Sequence, residues 1–164
     1  MSDQLPLTCP TPNKRPIEAT NAMRMEAALE TAEELIENGG FDSKDIGDIA
    51  DDILKAASRS YGKGDGFSLA YELKRSCHWE IADDMVEILA DYWAAVDGKL
   101  RFAEKQWAAE NPMEPPLPIG ALVKTPKGTL PITSVSDYAP HSYCVQQSPK
   151  SWLIVRFEDA VLAE

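Results

Sequence analysis

Histidine and paired cysteine are scarce in this chain, with two histidines and three cysteines among 164 residues. His78 directly follows Cys77, a spacing poor for chelation, and no C-x-x-C occurs, so neither zinc nor another metal site is expected. Cys9, Cys77 and Cys144 are odd in number and far apart, which excludes a disulfide framework and fits reduced, buried thiols. No apolar run approaches the ~18 residues of a membrane helix. The N-terminal stretch has no basic segment leading into an apolar core, so no secretory signal is expected either, and cytoplasmic residence follows. Basic residues are few, 16 against 27 acidic, for a net charge of −11. Nucleic-acid binders depend on lysine and arginine displacing counterions, so direct nucleic-acid binding is disfavoured and a basic partner preferred.

Motifs that carry chemistry are equally sparse. The glycines of 62–66 lack the G-x-x-x-x-G-K-[ST] spacing that wraps phosphate in backbone amides. A calcium loop beginning at Asp42 would place Lys44, Ile46 and Ile53 where oxygen ligands are required, so calcium is rejected. His141 and Cys144 form an H-x-x-C, which reads more simply as structural than as a thiolate nucleophile and its base. No cofactor is implied. The expected role is non-enzymatic, with a carboxylate-based hydrolase or transferase as an alternative, because sequence does not say which carboxylates share a cleft.

What the chain has instead is a long regular helix. Trp79, Val86, Trp93, Leu100 and Trp107 recur at seven, and Ala82, Leu89, Val96 and Ala103 fill the second seam position, giving about four heptads within 77–110. Ile81, Met85, Ile88, Tyr92 and Phe102 widen the apolar arc to roughly 160° at 100° per residue. A face that wide meets two neighbours. One reading is an antiparallel homodimer through Trp79, Ala82, Val86, Leu89, Trp93, Val96, Leu100 and Ala103; the other is coverage by earlier helices of the same chain.

Those earlier helices are expected at 22–38, stopped by Gly39 and Gly40; at 43–60, capped by Asp42 or Ser43; and at 67–75, capped by Asp65 and burying Phe67, Ala70 and Leu73. Prolines 6, 10, 12 and 16 make 1–19 a tail, ahead of a helical domain over 20–110. Prolines 112, 115, 116 and 118 make 111–118 an extended linker. Short strands follow at 121–124, 129–135, 143–146 and 152–157, with a tight turn at 125–128. Tyr138, Tyr143, Trp152 and Phe157 either form the core of this region or line a cage for methyl-lysine or a peptide.

The opening Gly-Ala-Leu-Val-Lys-Thr-Pro-Lys-Gly of 120–128, followed by three short strands, resembles that of SH3-like small barrels, including KOW-type modules. The resemblance implies an antiparallel β-barrel over 119–164 that binds protein or nucleic acid. The fold class expected is α+β, a four-helix region followed by that barrel.

Acidic residues supply the functional lead. Glu26, Glu30, Glu33 and Glu37 form one stripe on the first helix, and Asp45, Asp48 and Asp52 another on the second. Carboxylates spaced ~5–6 Å apart along a helix are comparable with phosphates that advance ~3.4 Å along a DNA strand. The stripes are either solvated faces that maintain solubility or a partner-binding surface that mimics nucleic acid. In size, acidity and lack of catalytic residues the chain resembles acidic accessory proteins of phages and mobile elements, including anti-CRISPR inhibitors. That resemblance implies inhibition of a nucleic-acid-binding complex. A structural adaptor dimerising through the heptad helix is the alternative from a different class.

Overall fold

The computed structural model describes residues 14–39, 45–60 and 64–163. They form an α+β chain in which four helices precede a four-stranded antiparallel sheet: α1 (Asn21–Gly39), α2 (Ile46–Arg59), α3 (Gly66–Cys77), α4 (Asp83–Glu110), β1 (Leu122–Thr125), β2 (Gly128–Val135), β3 (Ser142–Ser148) and β4 (Ser151–Arg156). Two compact units divide it. The helical unit is Pro16–Ala103; the sheet unit holds Arg15 together with the chain from Glu104 onward.

Local chemistry fixes the helix ends. Thr20 Oγ1 accepts from the Met23 N–H at 3.2 Å, supplying a partner to one of the amides that a first turn leaves unsatisfied. α2 is capped by Asp45, which accepts from the Gly47 N–H at 2.8 Å, whereas the expected caps Asp42 and Ser43 lie outside the described residues. Asp65 caps α3 as expected, accepting from Phe67 N–H and Ser68 Oγ, both at 2.9 Å. α3 ends where His78 turns left-handed (φ 57°) and its N–H reaches the Leu73 carbonyl. This stop corrects the expected span of the long helix, which begins at Asp83 rather than 77 and so leaves Trp79 and Ala82 outside it.

The helical core is built from small and branched residues at helical spacing. α1 contributes Ala27, Ala28, Ala32 and Leu35; α2 Ile49, Ala50, Ile53 and Ala56; α3 Leu69, Ala70 and Leu73; α4 Met85, Ile88, Leu89, Tyr92 and Val96. Gly66 brings α3 hard against α4, since a Cβ there would lie 2.3 Å from the Val86 carbonyl oxygen. Leu69 completes the stripe Gly66, Leu69, Ala70, Leu73, which leaves Phe67 on the outer side, 75% exposed instead of buried. The pattern rule chose the larger apolar residue; the helix period chose its neighbour.

The sheet is a meander in the order β1-β2-β3-β4. Thr125 Oγ1 donates to the Gly128 carbonyl at 2.7 Å and accepts from Lys127 N–H at 3.1 Å, which secures the β1–β2 turn, and Gly128 takes φ +110°. Val123, Ile132, Tyr143, Val145 and Phe157 form its core. The sheet does not close into the barrel expected for 119–164: β4 ends at Arg156, the chain turns through a 3-10 helix over Phe157–Asp159, and β4 does not pair with β1. Only a short return reaches β1, by the Val123–Leu162 bridge and hydrogen bonds from Lys124 N–H to Val161 O (2.9 Å) and Ala163 N–H to Leu122 O (2.8 Å).

Two tryptophans in the helical unit differ in one respect. Trp79 Nε1 donates to Asp52 Oδ2 at 2.8 Å, while Trp93 Nε1 is buried without a hydrogen-bond partner among the described residues. Trp79→Phe removes a charge-assisted hydrogen bond and Trp93→Phe removes an unsatisfied donor, so the first substitution costs about 1–2 kcal/mol more than the second in urea unfolding. Equal costs would mean that the two indole N–H groups have equivalent surroundings.

Candidate functional site

The acidic residues singled out from the sequence lie on the helical unit, and their surroundings divide them. Lys99 of α4 reaches α1, where its Nζ lies 2.6 Å from Glu30 Oε1 and 3.5 Å from Glu26 Oε2. The hydrogen bond that Lys99 Nζ donates to Glu30 holds the lysine's pKa above its ordinary value against partial desolvation, with Glu26 adding to the effect. One ammonium thus offsets half of the charge of the N-terminal part of the α1 stripe within the chain. Glu33 and Glu37, on the next turns, are exposed and make no ion pair among the described residues.

On α2 the same division holds. Asp45 spends its carboxylate on the helix cap and half-buried Asp52 accepts from Trp79. Asp48 is exposed, in the first turn of its helix. A further set on α4, not singled out as a site from the sequence, is aligned by helical spacing: Asp83, Glu87 and Asp91 recur at every fourth residue and are exposed. Their alternation with the buried positions Met85, Ile88, Leu89 and Tyr92 is the signal that marks them as a solvent face. Pro16–Ala103 carries 19 acidic and 9 basic side chains, a net −10, and the rest of the chain carries −1.

The heptad seam is consumed mostly inside the chain. Trp79, Leu89 and Val96 are buried in the helical core, Val86 and Trp93 pack half-buried against it, Leu100 and Ala103 are half-buried, and Ala82 is exposed ahead of the helix. Trp107 belongs to the sheet unit, where the Arg15 guanidinium carbon stands 4.9 Å from its ring centroid. The fourteen-residue tryptophan period therefore joins three different environments.

In the sheet unit Arg15, only 5% exposed, gathers four polar partners, and the sequence did not single it out. Its guanidinium donates to Glu104 Oε1 (3.2 Å), the His141 carbonyl (3.0 Å) and Ser142 Oγ (3.4 Å), and its Nε lies 2.8 Å from Glu158 Oε1. His141 Nε2 lies 3.1 and 2.9 Å from the carbonyls of Ala108 and Asn111, so this nitrogen carries the hydrogen and satisfies acceptors at the end of α4. The ring stacks on Phe157 at 5.8 Å. His141 is engaged structurally. Cys144 and Cys77 are half-buried, Cys77 Sγ standing 4.0 Å from the Asp52 carbonyl, and Cys9 lies outside the described residues. The four aromatics considered for a core or a cage divide: Tyr143 and Phe157 are core, while Tyr138 and Trp152 are exposed.

No group of three histidine, cysteine, aspartate or glutamate side chains suited to a metal occurs among the described residues. Nor is any described helix long and apolar enough to cross a membrane.

Arg15→Ala strands two carboxylates around a buried position; because Glu158 is 39% exposed and hydrated, the expected loss is about 2 kcal/mol, below the usual range for a fully buried pair, as read by chemical denaturation. Arg15→Lys restores little, since an ammonium lacks the planar fork that spans three acceptors. An unchanged midpoint in both variants would show the cluster to be energetically neutral. Comparison of the chain with protein-family models, with curated proteins and with solved structures found no match.

Proposed function

We propose that this protein is a non-enzymatic binder whose acidic helical unit engages a basic protein surface of the kind that holds nucleic acid. The observation that carries this reading is the segregation of charge: −10 resides in Pro16–Ala103, and Glu33, Glu37, Asp48, Asp83, Glu87 and Asp91 are exposed there without ion pairs among the described residues. Unpaired like charges on one unit raise its self-repulsion, and an oppositely charged partner relieves it. The ladder available for phosphate mimicry is shorter than the full α1 stripe, because Lys99 occupies Glu26 and Glu30. Recognition is accordingly assigned to the combined field of the three helices. Inhibition of a nucleic-acid-binding complex is the corresponding biological role.

The test is displacement of a labelled DNA duplex from protamine, followed by fluorescence anisotropy. Wild-type protein releases the duplex at low ionic strength, where its carboxylates are least screened. The triple variant Glu33→Lys, Glu37→Lys, Asp48→Lys releases less at every concentration. Its circular dichroism matches the parent because all three positions are exposed and outside the core. Failure of the wild type to release DNA at low salt, or equal release by the variant, overturns the proposal.

A further inference from the structure

We infer that the groove between the start of α3 and the first turns of α4 is where a basic, apolar-anchored helical segment of a partner protein docks, an inference that rests on the acidic-binder reading and gives it a specific contact. The groove measures about 610 Å³. Its apolar part is Phe67, Val86 and Ala90, and its charged lining is Asp65, Asp83 and Glu87, with no lysine or arginine among its described lining residues. Phe67 is 75% exposed and Tyr71, one turn further along α3, is 64% exposed. A single exposed aromatic is ordinary, but a pair at i, i+4 beside an apolar groove keeps a contiguous apolar surface in water.

The backbone at the head of α3 is held by close packing and a cap. Gly66 lets α3 approach the α4 backbone at Val86, and Asp65 fixes the first turn through Phe67 N–H and Ser68 Oγ. Phe67 is therefore presented from a capped helix end, whose backbone has little conformational entropy left to lose on binding. Asp83 and Glu87 are exposed one turn apart on the facing helix. An apolar centre with an acidic rim complements a segment that carries leucine-like anchors on one face and lysine or arginine beside them, as in helix-in-groove recognition. An acidic or neutral apolar segment would meet the same centre while leaving the rim carboxylates to be desolvated without a counter-charge, which selects against it.

The test measures binding of two synthetic probes by calorimetry at low ionic strength. One is an amphipathic helix of about 15 residues, long enough to fold on contact, with leucines on one face and lysines on the other. The second is an oligolysine of equal charge. Wild type binds the leucine–lysine helix at least tenfold more tightly than oligolysine; Phe67→Gln abolishes that preference while leaving oligolysine binding unchanged; Asp83→Lys with Glu87→Lys weakens both. Phe67 is outside the core, so circular dichroism of its variant should match the parent. If wild type binds both probes equally, or Phe67→Gln keeps the preference, the groove assignment fails while the acidic-binder reading stands. If neither probe binds, both fail.

Discussion

A helical unit with 19 acidic and 9 basic side chains can fold only if its core formation outweighs mutual repulsion among the carboxylates. The core achieves this with tight contact rather than bulk. Alanines at 27, 28, 32, 50 and 56 are completely buried, and Gly66 lets α3 meet the α4 backbone, so neighbouring helices approach closely and exclude water. Most carboxylates lie on the opposite faces; Glu72, buried on α3, is paired with Arg75 at 3.5 Å and accepts from Ser76 Oγ at 3.4 Å, and half-buried Asp52 accepts from Trp79. Where the chain does bring a cation across, at Lys99, one ammonium serves both Glu26 and Glu30 and ties α4 to α1. Exposed pairs of this kind contribute little each. The burial of Leu35, Ile49, Ile53, Leu69, Leu73 and Leu89 carries most of the stability.

The sheet unit follows another logic. Its apolar core is small, with Val123, Ile132, Tyr143, Val145 and Phe157 fully enclosed, and polar contacts supplement it. Tyr143 Oη donates to the Leu117 carbonyl and accepts from the Leu117 N–H, at 3.0 and 2.7 Å, so both backbone groups of that residue are satisfied by one side chain. Arg15 and His141 do similar work at the end of α4 by meeting carboxylates and carbonyls that burial would otherwise leave unpaired. Arg15 was not conspicuous in the sequence, and His141 and Tyr143 stood out there only as part of an H-x-x-C and as an aromatic, because each acts through partners far away along the chain.

Legibility followed the range of the interaction. The existence of four helices and the Asp65 cap are set by neighbours within a few residues, and apolar periodicity and capping signals revealed them. The start of α4 was misread because the heptad continues back through Trp79, whereas the helix does not: His78 adopts αL, and Trp79 instead packs in the core and donates to Asp52. The helix-facing side of Phe67 was likewise misjudged by size. Closure of the sheet depends on whether β4 finds β1, a long-range pairing that no strand pattern encodes. Of the acidic candidates, Glu33, Glu37 and Asp48 are exposed as read, whereas Glu26, Glu30, Asp45 and Asp52 have partners visible only in three dimensions.

The binding proposal requires that the carboxylates of the helical unit repel one another in the free protein and so favour a cationic partner. Thermal melting as a function of ionic strength tests this directly. Between about 0.01 M and about 0.15 M salt the screening length falls from ~30 to ~8 Å. Relief of repulsion predicts a melting temperature that rises across this interval, with a smaller rise in the Glu33→Lys, Glu37→Lys, Asp48→Lys protein. A melting temperature that falls with added salt would mean that attraction within the chain already balances its acidic charge, contradicting the requirement.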